Sequence, residues 1–298
     1  SYKDLPIRIG EVAHDFRYEA SGALKGIERG RHFCQNDAHL FVTPEQIKSE
    51  FKNVVDLIFD VYKDFGITDY RCVLSLRDPE DKEKYHPDDE MWNKAENELR
   101  EVLNELGIEY TEEIGEAAFY GPKLDVNVTP AVGNEYTLST CQLDFCLPAK
   151  FDLKYVDKDG EKKTPVVLHR AILGSLDRFM AYILEETKGA LPTWLAPTQV
   201  KVIPVNPELH SEYGKEITNL LKDNDIRVEL DDRNEKLGYR LREAQTEKVP
   251  YTLILGDQEK ENSTISYRLF GQKDTTTVSK EEFVKLLNEE ISTKALRK

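Results

Sequence analysis

Across GALPTWLAP, residues 189–197, the hydrophobic pattern of this 298-residue chain changes kind. Downstream, apolar runs and amphipathic stretches alternate strictly. VKVIPV reads as a strand, SEYGKEITNLLKDN as a helix, IRVEL as a strand, EKLGYRLREAQTEK as a helix and PYTLILG as a strand. A hairpin-like TISYRLF follows, then a last helix opened by the capping box Ser279-x-x-Glu282. Regular alternation of this kind predicts a small α/β domain with a largely parallel sheet over residues 198–298. Two prolines and the loss of periodicity mark 189–197 as a linker. The length suits about two domains at roughly 150 residues each.

Upstream the elements are longer and no regular βαβ repeat is visible. TPEQIKSEFKNVVDLIFDVYKDFG predicts a helix capped by Thr43 and Gln46, with Ile47, Phe51, Val54, Ile58, Val61 and Phe65 on one face. Gly66 supplies its stop. A second helix is expected from Asp88 to Leu106, ended by Gly107, and YRCVLSL between the two alternates as a strand does. KLDVNVT and STCQLDFCL predict two more strands, with Gly133–Asn134 in the turn region between them. HRAILGSLDRFMAYILEETKG reads as a buried helix with a polar start. Together these give an α+β domain built on an antiparallel sheet over residues 1–190. There is no internal repeat and no low-complexity tract.

The net charge of −15 argues against nonspecific nucleic-acid binding, yet the charge is unevenly spread. Residues 198–298 carry 17 Lys and Arg against 19 Asp and Glu, a net of −2, which leaves −13 for the remainder. The C-terminal part can therefore present a local basic face to a folded RNA. No apolar run approaches the roughly 18 residues of a membrane span, and the N-terminus lacks an export signal pattern. Cys34, Cys72, Cys141 and Cys146 form no CxxC pair, which suits free thiols in a reducing cytoplasm.

Three segments concentrate polar residues. FRYEASGALKGIERGRHFCQNDAHLF sets Arg17 and Glu19 two apart, then Gly22, Gly26, Arg29, Gly30, Arg31, Phe33, Asp37 and His39. On a strand, residues two apart share a face, so Arg17 and Glu19 would point into one cleft, with a Gly/Arg loop as a nucleotide cradle. The same residues also suit an exposed hairpin with a cross-strand ion pair. In HRAILGSLDRF, Arg178 is either a ligand-binding group beside Gly174–Ser175 or an arginine reaching a nearby carboxylate. Tyr120, Lys123 and Gln142 interrupt apolar strand positions, as rim or as site residues.

Taken together, FRYE…GRHF resembles the second signature motif of the class II aminoacyl-tRNA synthetases, and GSLDRF the third. DAHLF, AFYGPK, QLDF, HRAILGS and PTWLAP, in this order, resemble the threonyl-tRNA synthetase family across almost the whole chain. The resemblance implies a threonine–tRNA ligase that activates threonine with ATP to threonyl-adenylate and transfers it to tRNA(Thr). It implies Arg17 on the α-phosphate, Glu19 on the adenine amino group and Phe33 stacked on the adenine. Arg178 would cover the other face of the base and reach the γ-phosphate, and Arg29 would hold the γ-phosphate from the loop. Arg17 and Arg178 are the catalytic pair, with Mg2+ bridging the phosphates. Asp37, Tyr120 and Gln142 match threonine-contacting positions.

His39 and His169 match two of the family's three Zn2+ ligands. An open zinc position accepts the amino group and hydroxyl of threonine, and so rejects the nearly isosteric valine. The third ligand is a cysteine from an upstream segment, and none of the four cysteines falls at its place. The first class II motif and the editing domain also lie upstream, so the chain reads as a fragment beginning inside the catalytic domain of a homodimeric, cytoplasmic parent. Phe16 stands where many relatives have histidine. In the C-terminal domain, Asn234, Glu259 and Arg268 match anticodon-reading positions, with Arg233, Lys236 and Arg242 as RNA-backbone contacts. The alternatives are a noncatalytic tRNA-binding module that kept the fold and an enzyme adenylating another amino acid.

Overall fold

The computed structural model describes residues 1–131 and 133–296. It divides into two compact units, Ser1–Tyr182 and Ile183–Lys298.

In the first unit, β1 (Ile7–Phe16) and β2 (His32–Val42) form a long hairpin, and α1 (Ile47–Phe65) follows. The Thr43/Gln46 capping box closes a short 3₁₀ turn just before α1, and Gly66 ends the helix at φ 69°. Ile47, Phe51, Val54 and Ile58 are buried as their spacing predicts, and Tyr62 takes the inward place expected of Val61. Each such side chain contributes about 1.5–3 kcal/mol on burial. Next come β3 (Tyr70–Leu76), α2 (Asp89–Glu105) and β4 (Tyr110–Ile114). Asp88 caps α2 by accepting from Met91 N at 3.0 Å. β4 was not expected: it returns parallel to β3, so β3–α2–β4 is one βαβ unit on an otherwise antiparallel sheet.

The chain continues through β5 (Lys123–Val128), β6 (Tyr136–Asp144), the single turn α3 (Leu147–Lys150) and a small hairpin of β7 (Tyr155–Val156) and β8 (Lys162–Lys163). β9 (Val166–Ser175) and α4 (Leu176–Glu186) then correct the expectation of one helix from His169: HRAILGS is extended, and only the second half is helical. β9 lies in the sheet interior, hydrogen-bonded to β2 on one side and β6 on the other. An interior strand with Arg170 on its apolar face and Ala171 on its polar one lacks clean alternation, so periodicity alone does not separate it from a buried helix.

The seven strands run in the order β1-β2-β9-β6-β5-β3-β4. Period-two alternation gives the sheet two unlike faces. One carries the register row Ala38, Arg170, Cys141, Leu124 and Leu74 and the row Leu40, Leu168 and Leu143. The leucines there are 0–3% exposed, and α1 packs on this face, with Tyr62 OH 2.8 Å from Ser139 Oγ. The other face carries His39, His169, Gln142 and Lys123 in one row and Asp37, Ala171, Thr140 and Asp125 in the next. A polar face opposite an apolar one is where a ligand can bind without unmaking the core.

The second unit comprises β10 (Val200–Pro204), α5 (Pro207–Lys222), β11 (Val228–Leu230), α6 (Leu237–Thr246), β12 (Tyr251–Leu255), α7 (Asp257–Asn262), β13 (Thr264–Leu269), β14 (Thr276–Ser279) and α8 (Lys280–Ser292). The sheet order is β11-β10-β12-β13-β14. β11 and β12 flank β10 in parallel, whereas β13 and β14 are antiparallel, so the sheet is more mixed than expected. Val200, Val202, Leu253 and Ile265 pack with Ile217 and Leu221 of α5 and Phe283 and Leu287 of α8.

Candidate active site

The β1–β2 hairpin sets the geometry of a cleft on the polar face. Arg17 and Glu19 lie just past the end of β1 rather than on it, and both still line a cavity of about 200 Å³ with Arg29, Phe33, Gln35, Thr140, Ala171 and Arg178. The five residues predicted to hold ATP are thus brought together. They partly satisfy one another: Arg29 Nη2 pairs with Glu19 Oε2 at 3.1 Å, and the Arg17 guanidinium lies 5.1 Å from the Phe33 ring centre. Arg178 Nε donates to the Glu28 carbonyl at 3.0 Å while its guanidinium covers the Tyr136 ring. The partners of these cations are one carboxylate, one backbone carbonyl and two aromatic rings, and an anion entering the cleft can compete for the guanidinium groups.

Gly174 makes the far wall. β2 spends two steps from Gln35 to Asp37 where β9 spends four from Ala171 to Ser175, and this irregularity turns the chain into α4 with Arg178 facing the cleft. Gly174 sits at φ 59°, and a Cβ there would lie 2.5 Å from the Leu138 carbonyl oxygen. Only glycine meets both conditions. This close backbone approach beside Arg178 is made on a strand instead of a helix.

Next along the same face, His39 and His169 are register partners with ring centres 4.7 Å apart, edge to face. His169 Nε2 is 2.9 Å from the fully buried Asp144 Oδ2, and Asp37 Oδ2 lies 3.7 Å from His39 Nδ1. Asp144 also accepts from the Cys146 and Leu147 N–H groups at 3.0 and 2.8 Å, so its position is fixed independently of the imidazole. Tyr120 OH donates to Gln142 Oε1, Gln142 Nε2 reaches Thr140 Oγ1 at 3.3 Å, and Thr140 Oγ1 donates to Asp125 Oδ1 at 2.7 Å. Burial first, then the Asp144 and Asp125 carboxylates, raises the Tyr120 phenol above its ordinary value and keeps it a donor. Asp37, His39, Tyr120, Gln142 and His169 therefore share one polar face that continues into the cleft.

The C-terminal candidates are placed differently. Asn234 is exposed in the loop after β11, which the buried Arg240 braces through the Asp231, Glu235 and Val205 carbonyls. Arg233 forks onto Asp231 at 2.8 Å for both nitrogens and also pairs with Glu243, while Lys236 and Arg242 are exposed. Glu259 is engaged internally, accepting from Gly256 N at 2.8 Å and Ser266 Oγ at 2.6 Å. Arg268 pairs in register with Thr252 on the sheet face that also carries Lys201 and Glu229. Thr252 Oγ1 and Arg268 Nε are buried without hydrogen-bond partners among the described residues. Strands β10 and β12 separate Arg268 from the Asn234 loop.

Sequence reasoning missed one cluster. His14, His32 and Cys34 meet on the opposite face of the hairpin, and among the described residues they form the one group of three or more His, Cys, Asp or Glu ligand atoms lying within 4.8 Å of one another. The signal was His32-x-Cys34 on one strand, but it needed the register that sets His14 opposite Cys34. All four cysteines are free. No helix among the described residues is long and apolar enough to cross a membrane.

Comparisons with known proteins agree with this architecture. Residues 1–187 match the class II tRNA synthetase core domain (G, H, P, S and T), and residues 199–290 match an anticodon binding domain. A threonine–tRNA ligase of Staphylococcus aureus (strain JH9) is 57% identical over 297 residues, covering 100% of this chain and 46% of that protein. The chain thus spans about half the length of the curated relatives it matches. The RNA binding domain of threonyl-tRNA synthetase from Cryptosporidium parvum Iowa II superposes with a TM-score of 0.89 at 35% identity, covering 97% of this chain and 72% of that one. Prolyl-tRNA synthetase from Cryptosporidium parvum, complexed with L-proline and AMP, shares the fold at a TM-score of 0.70 and 18% identity, over 99% of this chain and 58% of that one. A class II synthetase core followed by an anticodon binding domain, with this identity to threonyl relatives across the whole chain, places the chain in the threonyl-tRNA synthetase family of class II aminoacyl-tRNA synthetases.

Proposed function

We propose that this chain supplies the ATP-binding cleft, most of the threonine pocket and the anticodon-binding domain of a threonine–tRNA ligase. The observation that carries the reading is the placement, on one polar sheet face, of the Arg17–Glu19–Phe33–Arg178 cleft and the His39–His169 pair one strand row beyond the Thr140–Ala171 row. Residues 1–190 act as the catalytic domain and 198–298 as the anticodon-binding domain.

The reaction is in-line attack of the threonine carboxylate on the α-phosphorus of ATP, with pyrophosphate leaving. It needs alignment and charge neutralisation rather than a protein nucleophile. Phe33 and Arg178 clamp the base from its two faces, and Glu19, released from Arg29, accepts from the adenine amino group. Arg17 neutralises charge that builds on the α-phosphate, and Arg29 and Arg178 hold the γ-phosphate of the leaving group. Mg2+ bound with the nucleotide would add charge neutralisation. Asp37, Tyr120 and Gln142 orient threonine, with Tyr120 donating once its O–H leaves Gln142 and Asp37 accepting.

His39 and His169 suit Zn2+ as donors: two imidazoles on one face, one backed by a buried carboxylate that fixes its ring. They would hold two positions of the ion, which would supply a Lewis-acidic centre for threonine. The polar face of the second unit, with Thr252 Oγ1 and Arg268 Nε unpaired, supports base recognition there, with Asn234 and Glu259 as further readers and Arg233, Lys236 and Arg242 on the RNA backbone. The protein works as a cytoplasmic homodimer. Threonine-dependent ATP–pyrophosphate exchange by the whole protein tests the reading; exchange that ignores threonine, or that survives Arg17→Ala unchanged, rejects it.

A further inference from the structure

On the face of the β1–β2 hairpin opposite the cleft, three side chains that the proposed reaction leaves unused converge. His14 is the register partner of Cys34, and His32 stands two residues before Cys34 on the same face. His14 Nδ1 lies 3.1 Å from His32 Nε2 and 3.6 Å from Cys34 Sγ. A tetrahedral zinc ion, with Zn–N of about 2.0–2.1 Å and Zn–S of about 2.3 Å, holds two nitrogens about 3.3 Å apart and a nitrogen and sulfur about 3.6 Å apart. The His14–His32 and His14–Cys34 atoms already stand near those separations, and all three ligand atoms lie within 4.8 Å of one another. We propose that His14, His32 and Cys34 bind a transition-metal ion of the Zn2+ class.

The donor set selects the ion. Two imidazoles and a thiolate suit Zn2+ and its borderline-soft neighbours, whereas Mg2+ and Ca2+ take oxygen ligands. On binding, the Cys34 thiol gives its proton to solvent and the metal–sulfur bond forms with no change of oxidation state. The scaffold is in place before any ion arrives. Cys34 N donates to Asp177 Oδ2 at 2.9 Å, which fixes the strand where the ligand projects, and Phe16 stacks on the His32 ring at 4.7 Å. Both histidines are exposed and Cys34 is half-buried, so an ion reaches the site from solvent and keeps a fourth position for water.

The site is separate from the His39–His169 pair, because His32 and Cys34 project from the opposite face of β2. It joins β1 to β2 at the base of the loop that carries Arg17, Glu19 and Arg29, so a bound ion clasps the two strands there. The inference does not depend on the proposed ligase activity.

The test titrates the reduced, metal-free chain with Co2+ under anaerobic conditions. One equivalent should give a sulfur-to-cobalt charge-transfer band in the near ultraviolet with visible bands of a tetrahedral ion. Cys34→Ser should abolish the charge-transfer band, and His14→Ala and His32→Ala should each weaken binding by at least about tenfold. The double variant His39→Ala, His169→Ala should keep the band. No band, a band that survives Cys34→Ser, or one lost with His39 and His169 overturns the proposal. A second measurement needs no variant: Cys72, Cys141 and Cys146 are buried, so alkylation mapped by mass spectrometry reads Cys34. Zn2+ should slow it at least about tenfold, and equal rates with and without Zn2+ count against the site.

Discussion

Asp144→Asn separates the structural from the positioning role of one buried carboxylate. In the native chain Oδ1 accepts from the Cys146 and Leu147 N–H groups and Oδ2 faces His169 Nε2 at 2.9 Å. A carboxylate only accepts, so Nε2 carries the imidazole proton and Nδ1 presents its lone pair to the polar face. In the variant the amide oxygen stays with the two backbone donors, because leaving them bare costs roughly 1–3 kcal/mol each. The NH2 then faces His169, whose Nε2 must accept, and the proton moves to Nδ1 and seals the lone pair. The hydrogen-bond count is unchanged, so stability should fall by only about 1 kcal/mol, the charge-assisted part of the bond. Asp144→Ala leaves both N–H groups unsatisfied and should cost roughly 2–6 kcal/mol. Long-range nitrogen–proton NMR of the labelled histidines reads the tautomer directly. In the whole protein, metal affinity and threonine activation should fall about 10–100-fold while ATP binding holds. A native His169 already protonated on Nδ1, or a tautomer that Asp144→Asn leaves unchanged, refutes the reasoning.

Gly174→Ala should destabilise the first unit by about 2–4 kcal/mol in denaturant unfolding, because the new Cβ meets the Leu138 carbonyl at a left-handed φ. Gly22→Ala, with nothing within 4 Å, should stay within about 0.5 kcal/mol. Hydrogen bonds and charge from Arg233 hold the Asp231 carboxyl below the usual carboxylate range against its burial. A depressed folded pKa contributes stability that is full above about pH 4 and is lost as pH falls through the lower folded value. Arg233→Gln should therefore destabilise the second unit more at neutral pH than at about pH 2–3, and an equal loss at both, read by hydrogen exchange, contradicts the assignment. Arg29→Ala breaks an ion pair whose cation is half exposed and should change stability by only about 1 kcal/mol, yet weaken ATP binding about tenfold or more by calorimetry. Unchanged affinity removes Arg29 from the phosphate site.

What was legible depended on whether local pattern and tertiary environment agreed. α1, α2 and the alternating elements of the second unit each bury one face, so their period survives in the sequence, as the Ile47–Phe51–Val54–Ile58 stripe shows. β9 sets His169 on the polar face and Arg170 on the apolar one, so its alternation is blurred and HRAILGS reads as helix. β4 is a five-residue edge strand whose TEE charges face solvent, and charge at an edge hides a strand. The cleft residues are legible through the family resemblance, which places Arg17, Glu19, Arg29 and Phe33 in one motif and Arg178 in another; on chemistry alone the first four also suit an exposed hairpin. His39 and His169 become neighbours only through the β2–β9 register, and His14 and Cys34 only through the β1–β2 register. Register depends on bulges and turns, which a single sequence specifies weakly. Glu259 shows the converse: matched by position as a reader, in the structure it serves as the cap of α7 and accepts from Ser266.

On the proposed reading, the pitch of β2 sets the distance between the two chemistries. Same-face residues recur about every 6.6–6.8 Å along a strand, so Phe33, Gln35, Asp37 and His39 mark out a track about 20 Å long. Adenine at Phe33 and the amino-acid group at His39 leave the ribose beside Gln35 and the reacting carboxylate and α-phosphate beside Asp37. The row at Asp37 continues through Ala171 and Thr140, and the small side chain of Ala171 keeps the floor low where two negatively charged groups must meet. A straight β9 would carry its next residues on alongside β2 and roof nothing. The irregularity at Gly174 ends the strand two residues late, and the chain that turns away becomes α4, with Arg178 brought back over Phe33's end of the track. The straight strand therefore measures the adenylate, and the bent one closes over it. Lengthening either by one residue would turn the polar row onto the α1 face and lose both functions together.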